Sequence, residues 1–206
     1  EDWLARAFGL GEGPLPAGAL SALAAGLEAG AGHWLRADPV HLRPDRDRVL
    51  LFPSAGFEIA ADEAQSLCEA LNRHFEDQFS LHPFAPDRWG LCARAAIELH
   101  ARAPIEIAGR DIDAELPDKR WHAQLNEIQM ALYQHAVNTA REERGAPVVN
   151  GVWLWGAGDL PDAVQGPWQS VSAADPATLG LAKLAGMRHR APGAGATPWL
   201  ERAPED

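Results

Sequence analysis

The sequence predicts an α/β protein that carries an inserted α+β module, and two runs of elements carry that prediction. Between residues 33 and 93 the elements read β-β-α-β-β, which leaves one helix to cover a mostly antiparallel sheet. From residue 117 onward the order becomes helix, strand, loop, strand, helix, the alternation of a layer built on a parallel sheet. At 206 residues the chain suits one large domain or one domain with a smaller insert.

Each element follows from a local pattern. The opening EDWLARAFGL reads as the interior of an amphipathic helix and has no starting Met, as it would in a piece of a longer protein. Residues 17–28, AGALSALAAGLE, follow the breaker stretch GEGPLP and form an Ala/Leu-rich helix ended by Gly30 and Gly32. HWLRADPVHL, RPDRD and RVLLF then read as strand, five-residue loop and strand. In residues 61–77 Ala64, Leu67, Cys68, Leu71 and Phe75 recur at spacings of three and four, the apolar stripe of a helix with acidic residues in its first turn. FSLHPFA and RWGLCA are short strands separated by Pro86 and Asp87. Ile105 and Ile107 alternate ahead of Gly109 and Arg110, so a further short strand or hairpin is expected between 97 and 112.

Pro117 and Asp118 open one long helix over 119–144, which Gly145 and Pro147 close. VVNGVWLW is the next strand, with Gly156, Ala157 and Gly158 as its exit loop, and WQSVSAA is another. Asp175 caps a helix over 176–184. The aperiodic RHRAPGAGATPWLERAPED reads as a disordered tail. The expected division is an N-terminal helical segment at 1–32, an α+β module at 33–116, an α/β core segment at 117–187 and the tail at 188–206.

Composition narrows the function. A formal charge of -11 with no cluster of Lys and Arg argues against a nucleic-acid partner, because phosphate neutralisation needs concentrated positive charge. The longest strongly apolar run, 148–155, is broken by Asn150 and Gly151 and is too short to cross a bilayer, so no membrane partner is expected. Two cysteines, Cys68 and Cys92, make no disulfide framework, which fits a reducing, cytoplasmic setting.

The stretch NEIQMALYQHAVNTAREERGAPVVNGVWLWGAG concentrates the polar candidates. On a helical wheel that starts at Trp121, Leu125, Ile128, Leu132 and Ala136 form the main buried stripe. Met130, Tyr133 and Val137 form a second one, which predicts cover from more than one side. His122, Asn126 and Gln129 fall between the stripes, and an unsatisfied buried polar group costs about 1 to 3 kcal/mol. Asn126 and Gln129 are therefore read as structural ties to neighbouring backbone, with ligand contact as the other role such amides fill.

His135, Asn138 and Arg141 lie about one turn apart on another side, either a solvated face or the border of a cleft. Gly156 and Gly158 flank a strand exit where backbone N–H groups can approach an anion, although a plain tight turn has the same composition. With Asn150, these five residues make the candidate ligand-binding set. Trp153 and Trp155 share one strand face and read as core.

Other groups carry less. Asp38 and His41 point to opposite faces of a regular strand and converge on a metal only if Pro39 kinks the chain. His33, His74, His82, His100 and His189 lack the spacing of a zinc site. Cys68 and Cys92 read as inert thiols, and Ser54, Ser80, Ser170 and Ser172 have no activating context. No GxSxG, P-loop or HExxH motif is present, so no catalytic residue and no metal ligand is assigned.

The ordered string ADPVHLRPDRDRVLLF, EAQSLCEALNRHF, the Asn126 to Gly158 stretch and GLAKLAGM resembles the RpfE-type bacterial regulatory proteins, which are phosphoglycerate-mutase-like. The resemblance covers most of residues 30–187. The string is more distantly similar to the archaeal-type cofactor-independent phosphoglycerate mutases of the alkaline-phosphatase superfamily. That similarity implies a partial alkaline-phosphatase-like core with a mixed or parallel sheet, in which the β-β-α-β-β module is an inserted lid.

Complete enzymes of that kind use two metal ions, Mn or Zn, and a nucleophilic serine. Here the segment before the module is too short to supply the serine and the first Asp ligand, and nothing after Met187 offers the later ligands. The resemblance thus implies a non-catalytic regulatory or binding protein with no cofactor, taking a protein partner or a small anionic ligand near Asn138, Arg141 and the 156–158 loop. The alternative is a metal-dependent phosphomutase or phosphatase whose missing catalytic residues lie outside this chain.

Overall fold

The structure, a computed structural model, describes residues 2–11, 13–30, 32–115, 119–166 and 168–192. Its spine is β1 (His33–Asp45), in which Trp34, Arg36, Asp38, Val40 and Leu42 face one side and Leu35 and Ala37 the other. β2 (Arg48–Pro53) returns antiparallel, in register from Val40 opposite Pro53 to Asp45 opposite Arg48. Pairing therefore continues through most of the expected five-residue loop and leaves only Arg46 and Asp47 as the turn, with Arg46 at φ 59°. An ion pair from Arg48 to Asp45 (3.0 Å) sits at this exposed end.

β3 (Phe79–Ala85) and β4 (Arg88–Ala93) form a second hairpin over Pro86 and Asp87, as the sequence predicts. Arg36 is in register with Gly90 of β4 and with Trp155 of β5 (Gly151–Trp155). Val40 is in register with Pro53 of β2 and with Gly151 of β5. A strand has two edges, so β5 fills one while β4 and β2 share the other in succession.

This sheet is antiparallel throughout, and it joins the 33–116 segment to the 117–187 segment through β1 and β5. The parallel sheet expected from the alternation of elements does not form around β5, which runs against β1. Parallel pairing is found between β6 (Ser170–Ser172) and β7 (Arg188–Arg190), a small crossover unit. β7 falls in the stretch expected to be disordered; its ladder with β6 orders it, and residues 193–206 lie outside the described residues.

Helices cover both faces. On the Leu35 side, α3 (Ala61–His74) buries Ala64, Leu67, Cys68 and Leu71, the stripe read from the sequence, and α4 (Lys119–Tyr133) adds Ile128 and Leu132. On the other side α1 (Asp2–Ala7), α2 (Ala17–Ala24) and α6 (Pro176–Leu184) pack around Trp153 and Trp155. α2 and α6 approach so closely that a Cβ on Gly180 would lie 2.0 Å from the Leu20 carbonyl oxygen. Asp175 caps α6 as expected, accepting from the Thr178 N–H at 2.8 Å.

Two further expectations are corrected. The stretch 97–112 holds no hairpin: Pro104–Ile107 and Ile112–Ala114 are 3-10 turns, and a single bridge joins Leu50 to Asp111. The one long helix over 119–144 is two, α4 and α5 (Ala136–Glu143). The break falls where His135 leaves the helical region (φ -70°, ψ 136°) and its Nδ1 accepts from the Val137 N–H, starting a new helix.

Candidate functional site

The polar residues of the α4, α5 and β5 region are where the sequence places a ligand site, and the structure gives most of them internal work. Asn138 is buried at the start of α5; its Nδ2 donates to the carbonyls of Leu132 (3.0 Å) and Val149 (2.8 Å), and its Oδ1 accepts the Val149 N–H (2.9 Å). Asn150 does the same for Leu42: its Oδ1 accepts the Leu42 N–H (2.7 Å) and its Nδ2 donates to the Leu42 carbonyl (2.8 Å). A third asparagine, Asn72 on α3, bonds the N–H and carbonyl of Leu81 on β3 in the same way. Each amide satisfies both backbone groups of one distant residue, acting as a one-residue strand.

Arg141 is 1% exposed, and each of its three nitrogens is bonded. Nε donates to the Pro147 carbonyl (2.7 Å), Nη1 to Glu63 Oε2 (2.5 Å) and Nη2 to the Glu58 carbonyl (2.8 Å). Its guanidinium also lies 5.6 Å from the Phe57 ring centroid. Arg141 is thus a strut between α5, the start of α3 and the segment leading into β5. Burial pushes the Glu63 carboxyl up. The hydrogen bonds from Arg144 and the Ala60 N–H, with the charges of Arg141 and Arg144, outweigh it and hold Glu63 below its ordinary value.

The glycine loop is also occupied from within. The Gly156 carbonyl accepts the Gly18 N–H (2.9 Å), and a Cβ on Gly156 (φ 63°) would meet Ala17 at 2.7 Å, so the loop is pressed on the start of α2. Gly158 lies against Pro16 in the same way. His135 is half-buried and caps α5; burial, then the charge of Arg73, lowers its imidazole below the ordinary value. The six candidates do not converge on one open space.

Asn126 and Gln129, expected as buried ties, are exposed on α4, as are Met130 (78%) and Tyr133 (77%). The Met130 and Tyr133 part of the second apolar stripe is therefore uncovered, whereas Val137, half-buried on α5, packs against the core. The side chains of Trp121 and His122 lie outside the described residues.

Two features were not read from the sequence. Arg36 and Asp38, adjacent on one face of β1, form a buried pair (2.7 Å) under α6. Asp38 also accepts Trp155 Nε1 (2.8 Å) and the Trp89 N–H (3.2 Å), while Arg36 stacks 5.2 Å from Trp155 and reaches Asp175 at 3.7 Å. Burial pushes the Asp38 carboxyl up, against the pull of Arg36 and the two N–H donors. Asp38 is thus spoken for, His41 bonds elsewhere, and the metal pairing considered for them does not form. Among the described residues no group of three or more His, Cys, Asp or Glu is placed to hold a metal ion.

The second feature is an open cleft of about 500 Å³ on the Leu35 face of the sheet, past the end of the helical cover. His41 and Phe52, cross-strand partners, floor it, with Arg43, Phe57, Ile105, Ala108 and Pro147 around it. The alternation His41, Arg43 along β1 was the available signal. Without the 3-10 turn that brings Ile105 alongside, it reads as an ordinary solvated face.

The fold is phosphoglycerate-mutase-like. A solved cofactor-independent phosphoglycerate mutase from Thermoplasma acidophilum DSM 1728 matches 90% of this chain and 54% of its own, at 18% identity and a TM-score of 0.53. A protein of Pyrococcus horikoshii, PH0037, matches 85% of this chain and 42% of its own, at 16% identity and a TM-score of 0.49. The chain therefore spans about half the length of these solved proteins. No protein-family profile and no curated protein matches the sequence.

Proposed function

We propose that this chain is a phosphoglycerate-mutase-like binding protein of the RpfE type, one that recognises a protein partner or a small anionic ligand and does not transfer phosphoryl groups by itself. One observation carries the reading: Asn138, Arg141, Asn150 and the Gly156 carbonyl, the polar groups grouped around the α5 and β5 region, are all bonded within the fold. Phosphoryl transfer calls for preorganised charge aimed at the transferring group and an activated attacker. These residues instead hold strands and helices together.

The test is a phosphatase and mutase assay of the purified chain with phosphoglycerate and an aryl phosphate, in added Mn or Zn. The expected result is no turnover beyond the metal blank. Turnover that scales with protein and saturates in Mn or Zn would overturn the binding reading. It would favour the alternative, a metal-dependent phosphomutase or phosphatase of the alkaline-phosphatase superfamily whose missing catalytic groups lie outside this chain or come from another subunit. That alternative draws its support from the coverage, since this chain accounts for about half of the mutase it matches.

A further inference from the structure

We infer that the cleft beyond the helical cover binds an aromatic monoanion, a flat apolar ring system with one sulfonate- or carboxylate-type group. This rests on the binding reading above and names a ligand class for a place the sequence did not single out. The cleft volume of about 500 Å³ falls in the range of small-molecule sites, which combine apolar walls with few polar groups. Phe52, Pro53, Phe57, Ile105, Ala108 and Pro147 supply the walls, and Ile105 stands 64% exposed at the rim although it is a large aliphatic.

The charge comes from Arg43. Its guanidinium lies 4.7 Å from the Phe52 ring centroid and makes no ion pair with a described residue. Asp45, two residues along the same strand, is held by Arg48. A guanidinium stacked on a ring keeps its N–H edge free, the geometry that receives a planar or tetrahedral oxyanion while the ligand's ring extends over apolar surface.

The number of charges is argued from the lining. Besides Arg43, the polar side chain in the cleft is His41, whose Nδ1–H donates to the Val148 carbonyl at 2.9 Å. A doubly charged phosphate would bring a second charge against apolar walls with no cation to meet it. An aromatic body is favoured because His41 and Phe52 offer tilted rings (centroids 6.3 Å apart, 48°) for offset contact.

The test uses anilinonaphthalene sulfonate and its uncharged counterpart, N-phenylnaphthylamine, in fluorescence titrations of the whole chain. Saturable binding of the sulfonate at one site per chain is expected. Arg43→Gln, at an exposed position, should weaken the sulfonate by about fivefold or more and leave the uncharged probe within about twofold. Ile105→Asp should weaken both. Sulfonate binding unchanged in both variants would overturn the proposal. So would a dimer in sedimentation that Ile105→Asp dissolves with no saturable probe binding, since a second copy would then be the occupant. Turnover in the phosphatase assay, by contrast, would remove the binding reading whatever the titrations give.

Discussion

At the scale of single residues, charge has been turned inward. Arg141→Met should destabilise the chain by about 3 to 5 kcal/mol in urea unfolding, because Glu63 and the carbonyls of Pro147 and Glu58 lose their donors inside the fold. Arg144→Ala, which removes a half-exposed partner of the same carboxylate, should cost less than about 1 kcal/mol. Glu63 also sets a pH window. Its folded pKa lies below the unfolded one, so its contribution is complete above the ordinary carboxylate value of about 4.3 and is lost as pH falls through the lower folded value. Thermal midpoints measured from pH 6 down to pH 3 should fall less steeply in Glu63→Gln than in the parent chain. The sequence places His135, Asn138 and Arg141 on one side of a single helix, whereas in the fold His135 caps α5 and the other two are buried. It could not show that Arg141 would meet Glu63 and Glu58 from a helix start some eighty residues away, because that encounter depends on how α3 docks.

Elements fared unevenly, for physical reasons that differ. The stripe of α3 was legible because that helix buries one side only, and β5 because a short apolar run bounded by glycines suits a strand buried on both faces. α4 and α5 read as one helix because no Gly or Pro lies between them; the break depends on a histidine acting as a cap, a role seldom visible in sequence. The glycines of α2 and α6 carry information of another kind. Gly180→Ala would place its methyl 2.0 Å from the Leu20 carbonyl oxygen, so the two helices must separate, with an expected loss of about 1 to 3 kcal/mol. Gly30→Ala, at a position with no atom within 4 Å of an added Cβ, should change stability by less than about 0.5 kcal/mol. Thermal unfolding of the two variants side by side checks the contrast.

For the whole molecule, the decisive fact is that β1 serves every other strand of the main sheet except β3. The 33–116 and 117–187 segments share that strand, so urea unfolding followed by tryptophan fluorescence and by far-ultraviolet circular dichroism should give coincident single transitions. Two resolved transitions would mean the segments are separable. A sequence reader meets the pairing of β1 with β5 as two runs more than a hundred residues apart, with no local signal of their register. Among the described residues, no helix is long and apolar enough to cross a membrane.

Asn150 stands directly before Gly151, the residue pair in which a backbone nitrogen most readily attacks the preceding side-chain amide and converts it, through a cyclic imide, to aspartate. In the fold that amide is held on both sides by Leu42, and Gly151 is in register with Val40, so the reaction must wait for this edge of the sheet to open. The clamp is therefore also a slow chemical clock. Gradual conversion of Asn150 to aspartate on incubation, followed by peptide mass spectrometry, would count openings of the β1 and β5 edge. Each count would be permanent, because the amide leaves as ammonia and water opens the imide to isoaspartate or aspartate, neither of which can donate to the Leu42 carbonyl.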